Sequence, residues 1–193
     1  MSRLFKNTAR RKRMGISLTY GQVMIFVTIL WIIYRVIAAF RNKRVDWKNE
    51  CKILTVYASI AFVTRLVYFP LFGDQDKIVF IYTTKNVRNR LNLIPFVSII
   101  NKYQDWDINF FGNIAMFIPV GLSFPFCYKQ LNNIGKVTLA GACYSLLIEL
   151  SQMFVFGRGT DIDDLITNTL GALIGGTVYF AILHIKQKSG KTS

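Results

Sequence analysis

Long apolar runs alternate with short charged blocks along this chain. A helix needs about 20 mostly apolar residues to cross roughly 30 Å of hydrocarbon. Five runs approach or reach that length: Ile16–Tyr34, continued through Arg35 to Phe40, then Ile53–Gly73, Ile108–Tyr128, Val137–Gly157 and Leu165–Ile185. The alternation typical of a membrane β-barrel is absent. Because helices satisfy their own backbone hydrogen bonds in lipid, the pattern predicts an all-α, polytopic membrane helix bundle of about five transmembrane helices.

One shorter apolar piece, residues 91–100, lies between the second and third runs. It is too short to span a bilayer, and it contains Pro95. Runs of this length favour a re-entrant or interfacial segment. We therefore expect residues 92–100 to dip into the outer interface, and a surface loop with a short amphipathic helix is the alternative.

The charged residues are strongly biased towards cations, with 24 Lys and Arg against 10 Asp and Glu. The cations stand in short blocks between apolar runs, as expected for loops that face anionic lipid. No basic stretch with interleaved aromatic residues occurs beyond the N-terminal block. The charge pattern therefore predicts membrane lipids as partners and no nucleic acid.

Orientation follows from the cations of three connecting segments. With five crossings, three basic segments lie on one side of the membrane: the loop 41–52, the turn with Lys129 and Lys136, and the basic tail 186–193. The positive-inside rule predicts that this side is cytoplasmic. The basic N-terminus would then lie outside, although it resembles the cytoplasmic flank of a signal anchor. We give more weight to the last four helices, and we expect that the first segment is not a simple span.

Cysteine and histidine offer no recognised site. The three cysteines, Cys51, Cys127 and Cys143, are an odd number without CxxC spacing, and they are interpreted as small hydrophobic residues. His184 stands beside the basic tail and is interpreted as an interfacial residue.

Polar residues recur at helical spacing within three consecutive apolar runs. These stripes are Asn109 with Asn113, then Ser145 with Glu149 and Gln152, and finally Asp164 with Asn168, Gly171 and Gly175. Polar groups at membrane depth usually face the bundle interior and find partners there. We therefore expect the three stripes to converge into one polar cluster that faces outward.

Each stripe also has a purely structural interpretation. Thr160 followed by Asp163 fits a helix N-cap with an acid at the third helical position. Glu149 could pair with Arg65 or Arg158. The GALIG stretch predicts close helix packing, and the two asparagines could simply join helices.

The same residues carry a family resemblance. The stretches NLIPF (92–96), Asn109 and Asn113 followed by FIPVG (117–121), ELSQ (149–152) and GRGTDIDDLITNTLGALIGG (157–176) resemble the VanZ family of bacterial membrane proteins. The resemblance covers residues 53–185, leaving the basic N-terminus with the first transmembrane segment (1–45) and the basic tail (186–193) as separate regions. Asp163 falls at a variable position of the pattern.

The family pattern carries over residue by residue. The matching positions are Asn92, Pro95, Phe96, Asn113, Pro119, Gly121, Glu149, Gln152, Arg158, Asp161, Asp164, Asn168 and Gly171. We combine the polar positions with the stripes into one candidate functional cluster. Its members are Asn92, Pro95, Asn109, Asn113, Glu149, Gln152, Arg158, Asp161, Asp164 and Asn168.

The resemblance implies a bacterial cytoplasmic membrane protein connected with resistance to glycopeptides of the teicoplanin type. On that hypothesis the cluster would meet a lipoglycopeptide antibiotic or a lipid-linked envelope precursor, and homo-oligomers are conceivable. Its molecular mechanism is not implied by the family.

Two other hypotheses stay open. The first is an intramembrane enzyme acting on a phospholipid or a polyprenyl phosphate. Glu149, Asp161 and Asp164 would hold a divalent cation there and Arg158 would bind phosphate, or Glu149 would act as the general acid or base. No nucleophile–base pair supports it, and no cofactor is predicted outright. The second is a small carrier with Glu149 as its protonatable group.

Overall fold

The computed structural model describes residues 15–42, 46–69, 77–81, 91–101 and 105–189. In chain order the helices are α1 (Tyr20–Asn42), α2 (Trp47–Tyr68), the single turn α3 (Val97–Ile100), α4 (Trp106–Cys127), α5 (Ile134–Gln152) and α6 (Ile162–Ser189). Five of them, all except α3, are long and apolar enough to cross a membrane. The predicted membrane helix bundle is therefore confirmed.

Two of the long helices begin at polar caps that precede the apolar runs. The Asp46 side chain accepts hydrogen bonds from the amides of Lys48 (3.0 Å) and Asn49 (3.3 Å). The Asn133 side chain accepts one from the amide of Lys136 (2.9 Å). Such caps satisfy amides that have no partner within the helix. This is why α2 and α5 start several residues before the predicted apolar runs.

Two small sheets accompany the helices, and the sequence did not predict them. Strand β1 (Gly15–Thr19) pairs antiparallel with β2 (Lys77–Ile81), so that Ile16 stands opposite Phe80. Strand β3 (Leu91–Asn92) pairs in parallel with β4 (Thr160–Asp161). The first apolar run therefore contains a strand followed by a helix, which corrects the single span predicted from Ile16.

The sheets show which helix ends lie together. Because β1 leads into α1 and β2 follows α2, their pairing places the start of α1 beside the end of α2. Val155, in the turn after α5, forms a bridge with Phe80 of β2, and β4 pairs with β3. We call this side of the bundle the sheet end. The opposite side, the basic end, holds the α1–α2 and α4–α5 connections and the end of α6.

This arrangement bears on the expectation that the first segment is not a simple span. Strand β1 precedes α1 at the sheet end, and the span of α1 ends at Arg41 on the basic end. The first segment therefore holds a strand and a helix that is long and apolar enough to span, and whether it crosses as the other four are expected to do stays a prediction. The basic block before residue 15 lies outside the described residues.

The bundle core forms where α4 meets α6 at glycines. A Cβ atom added at Gly171 would lie 2.3 Å from the carbonyl oxygen of Ile114, and one at Gly175 would lie 2.3 Å from that of Ile118. Gly121 of α4 approaches the carbonyl oxygen of Ala172 just as closely. The packing role predicted for GALIG is therefore confirmed.

Candidate functional site

A cavity of about 400 Å³ lies among α2, α4, α5 and α6, next to the sheet end. Its apolar wall comes mainly from Leu66 and Val67 of α2, Ile108 and Met116 of α4, and Ile148 of α5. Its polar lining consists of Asn109, Asn113, Glu149, Gln152, Arg158, Asp164 and Asn168. The three polar stripes and Arg158 therefore converge on one space.

The α5 stripe is buried along its whole length. Ser145, Glu149 and Gln152 are exposed by 0%, 2% and 6%. Their spacing of four and three residues places them on one helix face, and that face is turned towards α6. Asn168 of α6, which is 1% exposed, donates through Nδ2 to the Ser145 hydroxyl at 3.0 Å. This hydrogen bond fixes two of the stripes against each other.

Glu149 is bound by the turn that precedes α6. Its Oε2 atom accepts a hydrogen bond from the Asp161 amide at 2.9 Å, and its main-chain carbonyl accepts one from the Thr160 hydroxyl at 2.8 Å. The proposed ion pair with Arg65 or Arg158 is not formed, although all three residues are described. Arg65 donates instead to the carbonyl oxygen of Phe69.

The start of α6 corrects the cap interpretation. The Asp161 carboxylate accepts the amide of Asp163 at 2.9 Å and stands one residue before the helix. Asp161 therefore caps α6, and the Thr160 hydroxyl is bound to the Glu149 carbonyl instead. Local sequence could not show that the Thr160 hydroxyl contacts α5, because that contact depends on the tertiary structure.

Asp161 also holds the segment before α3. The Nδ2 atom of Asn92 lies 3.0 and 3.1 Å from the two oxygens of its carboxylate. The neighbouring acid Asp163 is only 6% exposed, and its Oδ1 atom accepts the amide of Phe96. Phe96 has a φ of 63°, a backbone conformation that is uncommon without glycine. Sequence reasoning assigned Asp163 only to the helix start and missed this contact.

Two further predicted residues join α4 to α6. The Nδ2 atom of Asn113 donates to Oδ1 of Asp164 at 2.7 Å. Asn109, one turn earlier in α4, is exposed but also lines the cavity. The interhelical role considered for the asparagines is thus present at Asn113, whereas Asn109 faces the opening.

The cavity collects most, but not all, of the predicted cluster. Asn92 and Asp161 stand beside it. Their side chains are hydrogen-bonded to each other, and the Asp161 amide donates to the Glu149 carboxylate. Pro95 is exposed in the turn before α3 and is not part of the lining. The segment 91–97 therefore supports the start of α6 rather than lining the cavity. Whether it dips into a membrane interface stays a prediction.

The three carboxylates considered for a divalent cation do not point to one place. Asp161 is directed towards Asn92, while Glu149 and Asp164 line the cavity. Within the described ranges, no three His, Cys, Asp and Glu side chains are grouped as ligands for one metal ion. Glu149 and Asp164 are the two that remain available to a cation inside the cavity.

The comparison with known families agrees with the motifs. Residues 56–184 match the VanZ/LLP1 family. The chain belongs to this family. Protein VanZ of Enterococcus faecium is 33% identical to it over 140 residues, covering 71% of this chain and 81% of that protein. No solved structure matches the chain. All the predicted cluster residues lie within the matched region, which begins inside α2 and ends inside α6.

Proposed function

We propose that this VanZ/LLP1 protein acts in the bacterial cytoplasmic membrane, with its sheet end outward, and lowers sensitivity to glycopeptides of the teicoplanin type. The observation that carries the proposal is the polar cavity at the sheet end. Family membership and the relative named Protein VanZ support the connection with glycopeptides.

The cavity supports ligand binding because its polar lining is expensive to keep inside an apolar bundle. Charged and amide side chains in membrane helices usually mark a ligand or ion pathway. Glu149 and Asn168 are almost fully buried, yet both border an open space of about 400 Å³. That volume lies within the usual range for small-ligand sites, roughly 300–1,000 Å³.

In this proposal the cavity binds the polar head of an envelope lipid or of a lipid-linked precursor at the outer leaflet. A lipid-anchored glycopeptide works at the same membrane surface. Occupancy of the cavity would change the access of that antibiotic to its target at the membrane surface.

The test is expression in a sensitive host with inhibitory concentrations measured for teicoplanin and for vancomycin. We expect a higher inhibitory concentration for teicoplanin, with a smaller change for vancomycin. The Asp164→Asn variant keeps the shape of the side chain and removes its charge from the cavity, and we expect it to lose the effect. The matched control is Asp107→Asn, because Asp107 is exposed near the start of α4 and does not line the cavity.

Membrane levels of each variant are measured in parallel by immunoblot. Unchanged sensitivity to both antibiotics, at confirmed expression, would contradict the proposed role. Loss of the effect in the Asp107→Asn control as well would show that the cavity is not its source.

An intramembrane enzyme is the second candidate, favoured by the presence of Glu149, Asp164 and Arg158 around one cavity. Arg158 would bind the phosphate of a phospholipid or polyprenyl phosphate, and the carboxylates would hold a divalent cation. Purified protein incubated with each lipid and Mg²⁺ would release phosphate or a head group. The absence of turnover with and without Mg²⁺ would eliminate this candidate.

A further inference from the structure

Two buried amide oxygens at the cavity have no hydrogen-bond partner. They are Oε1 of Gln152 and Oδ1 of Asn168, on side chains of residues that are 6% and 1% exposed. Both residues line the cavity. A buried carbonyl oxygen without a donor is unfavourable. A ligand that brought hydrogen-bond donors to these two oxygens would satisfy them.

The charges of the lining indicate what kind of donor fits. Glu149 and Asp164 contribute two carboxylates, and Arg158 contributes one guanidinium. One oxygen of each carboxylate, Oε2 of Glu149 and Oδ1 of Asp164, accepts a hydrogen bond. A primary ammonium group matches this environment, because it carries a positive charge and three donors.

Arg158 adds a place for an anion next to the acceptors. It stands in the turn before α6, at the sheet end, whereas Asn168 lies six residues after the first residue of α6, or about 9 Å along the helix axis from that start. A ligand with a phosphate at the opening and an ammonium deeper inside would match both features. A guanidinium binds phosphate through paired hydrogen bonds.

We propose that the cavity binds the primary ammonium of an aminoalkyl phosphate, as carried by the phosphoethanolamine head group of a lipid. The unpartnered oxygens of Gln152 and Asn168 and the carboxylates of Glu149 and Asp164 receive the ammonium, and Arg158 faces the phosphate. This inference deepens the proposed function, because it names the head group that the cavity takes.

The opening of the cavity favours a lipid over a soluble amine as the source. Ile108 lines the cavity and is 68% exposed on α4. Gly112, one turn further, also lines it, and a Cβ atom added there would meet no heavy atom within 4 Å. The cavity therefore opens beside an apolar surface of a spanning helix, where acyl chains would lie.

The binding test uses the full-length protein in a neutral detergent and follows its melting temperature during lipid titration. The probes are dihexanoyl phosphatidylethanolamine, dihexanoyl phosphatidylcholine, dihexanoyl phosphatidylglycerol and free phosphoethanolamine. We expect the ethanolamine lipid to bind at least about tenfold more tightly than the choline lipid, which has no ammonium donors, and the glycerol lipid, which has hydroxyl donors only. Tight binding of free phosphoethanolamine would identify a soluble source of the same ammonium group.

Two variants separate binding from structure. Gln152→Met removes an unpartnered oxygen at similar volume, so we expect an unchanged or higher melting temperature without ligand and about tenfold weaker binding of the ethanolamine lipid. Gly112→Leu fills the opening and abolishes binding. Its control is Gly21→Leu, where an added Cβ is equally unhindered, on α1 and away from the cavity.

Equal binding of the choline or glycerol lipid would overturn the ammonium assignment, and so would binding that survives both Gln152→Met and Gly112→Leu. Absence of binding by all four probes would overturn it too, and would indicate that water fills the cavity. These results are independent of the antibiotic measurements. Binding of the ethanolamine lipid without a teicoplanin effect would contradict only the proposed function. A teicoplanin effect without binding of the ethanolamine lipid would contradict only this inference.

Discussion

At the scale of single residues, the contact between Asn92 and Asp161 holds the start of α6 in place. The Asp161 carboxylate accepts from the Asn92 side chain and from the Asp163 amide, while the Asp161 amide donates to Glu149. One residue thus connects β3, the cap of α6 and a carboxylate of the cavity. A disturbance at Asn92 would therefore reach Glu149 through Asp161.

We predict that Asn92→Ala lowers the free energy of unfolding by about 1.5–3 kcal/mol, which is the usual contribution of a hydrogen bond to a charged group. The measurement is reversible unfolding of the detergent-solubilised protein by denaturant. Asn101→Ala is the control, because Asn101 is exposed just after α3. Equal stability of the two variants would show that the Asn92–Asp161 contact does not stabilise α6.

The same residues show what sequence could and could not predict about the site. Helical spacing was sufficient to place Asn113, Glu149 and Asp164 on facing stripes, because periodicity fixes the face of a helix. It could not show that Asp163 accepts the amide of Phe96, since the two residues are 67 positions apart. Such a contact depends on where an irregular segment returns to the bundle.

At the scale of elements, the fit of α4 against α6 depends on glycine. The Gly171 position faces the carbonyl oxygen of Ile114, which is part of a helix backbone and cannot move aside as a flexible side chain could. Asn113, the neighbour of Ile114 in α4, donates to Asp164, which lies about two turns before Gly171 in α6, and both residues line the cavity. Close approach of the two helices therefore also sets the width of the cavity.

We predict that Gly171→Ala lowers the free energy of unfolding by roughly 1–3 kcal/mol, because the added methyl group forces α4 and α6 apart. Gly21→Ala serves as the control. Its added Cβ is unhindered, and alanine is the better helix former by up to about 1 kcal/mol, so no loss is expected there. Both variants are compared by denaturant unfolding in detergent, and a Gly171→Ala protein as stable as the control would contradict the close helix crossing.

The element that sequence misjudged is the first apolar run. Its opening residues, Gly15–Thr19, form a strand, although the run as a whole has the length and composition of a membrane helix. A short apolar stretch is compatible with either structure. Pairing with β2 decides in favour of a strand. Residues 77–81, which follow α2 in the chain, pair with the backbone of Gly15–Thr19.

At the scale of the whole molecule, the sheets and the five spans together define two ends with different charges. The basic end carries Arg41, Lys129 and Lys186 in the described segments, while the sheet end carries the acids around Asp161. The positive-inside rule then predicts a cytoplasmic basic end and an outward sheet end. The cavity lies next to the sheet end, the end that the proposed function requires to face outward.

We predict the labelling pattern of single cysteines in intact cells, after Cys51, Cys127 and Cys143 have been replaced by serine. Cysteine at Ser17 or Gly159, both at the sheet end, should react with a membrane-impermeant maleimide added outside, because β1 and the turn before β4 lie on the same side as β2. Cysteine at Asp46, Asn132 or Lys188 should react only after the cells are permeabilised. Labelling of the cysteines at Ser17 and Gly159 from opposite sides would contradict the shared sheet end. Labelling of both only from the inside would show the opposite orientation, with the cavity away from the outer leaflet.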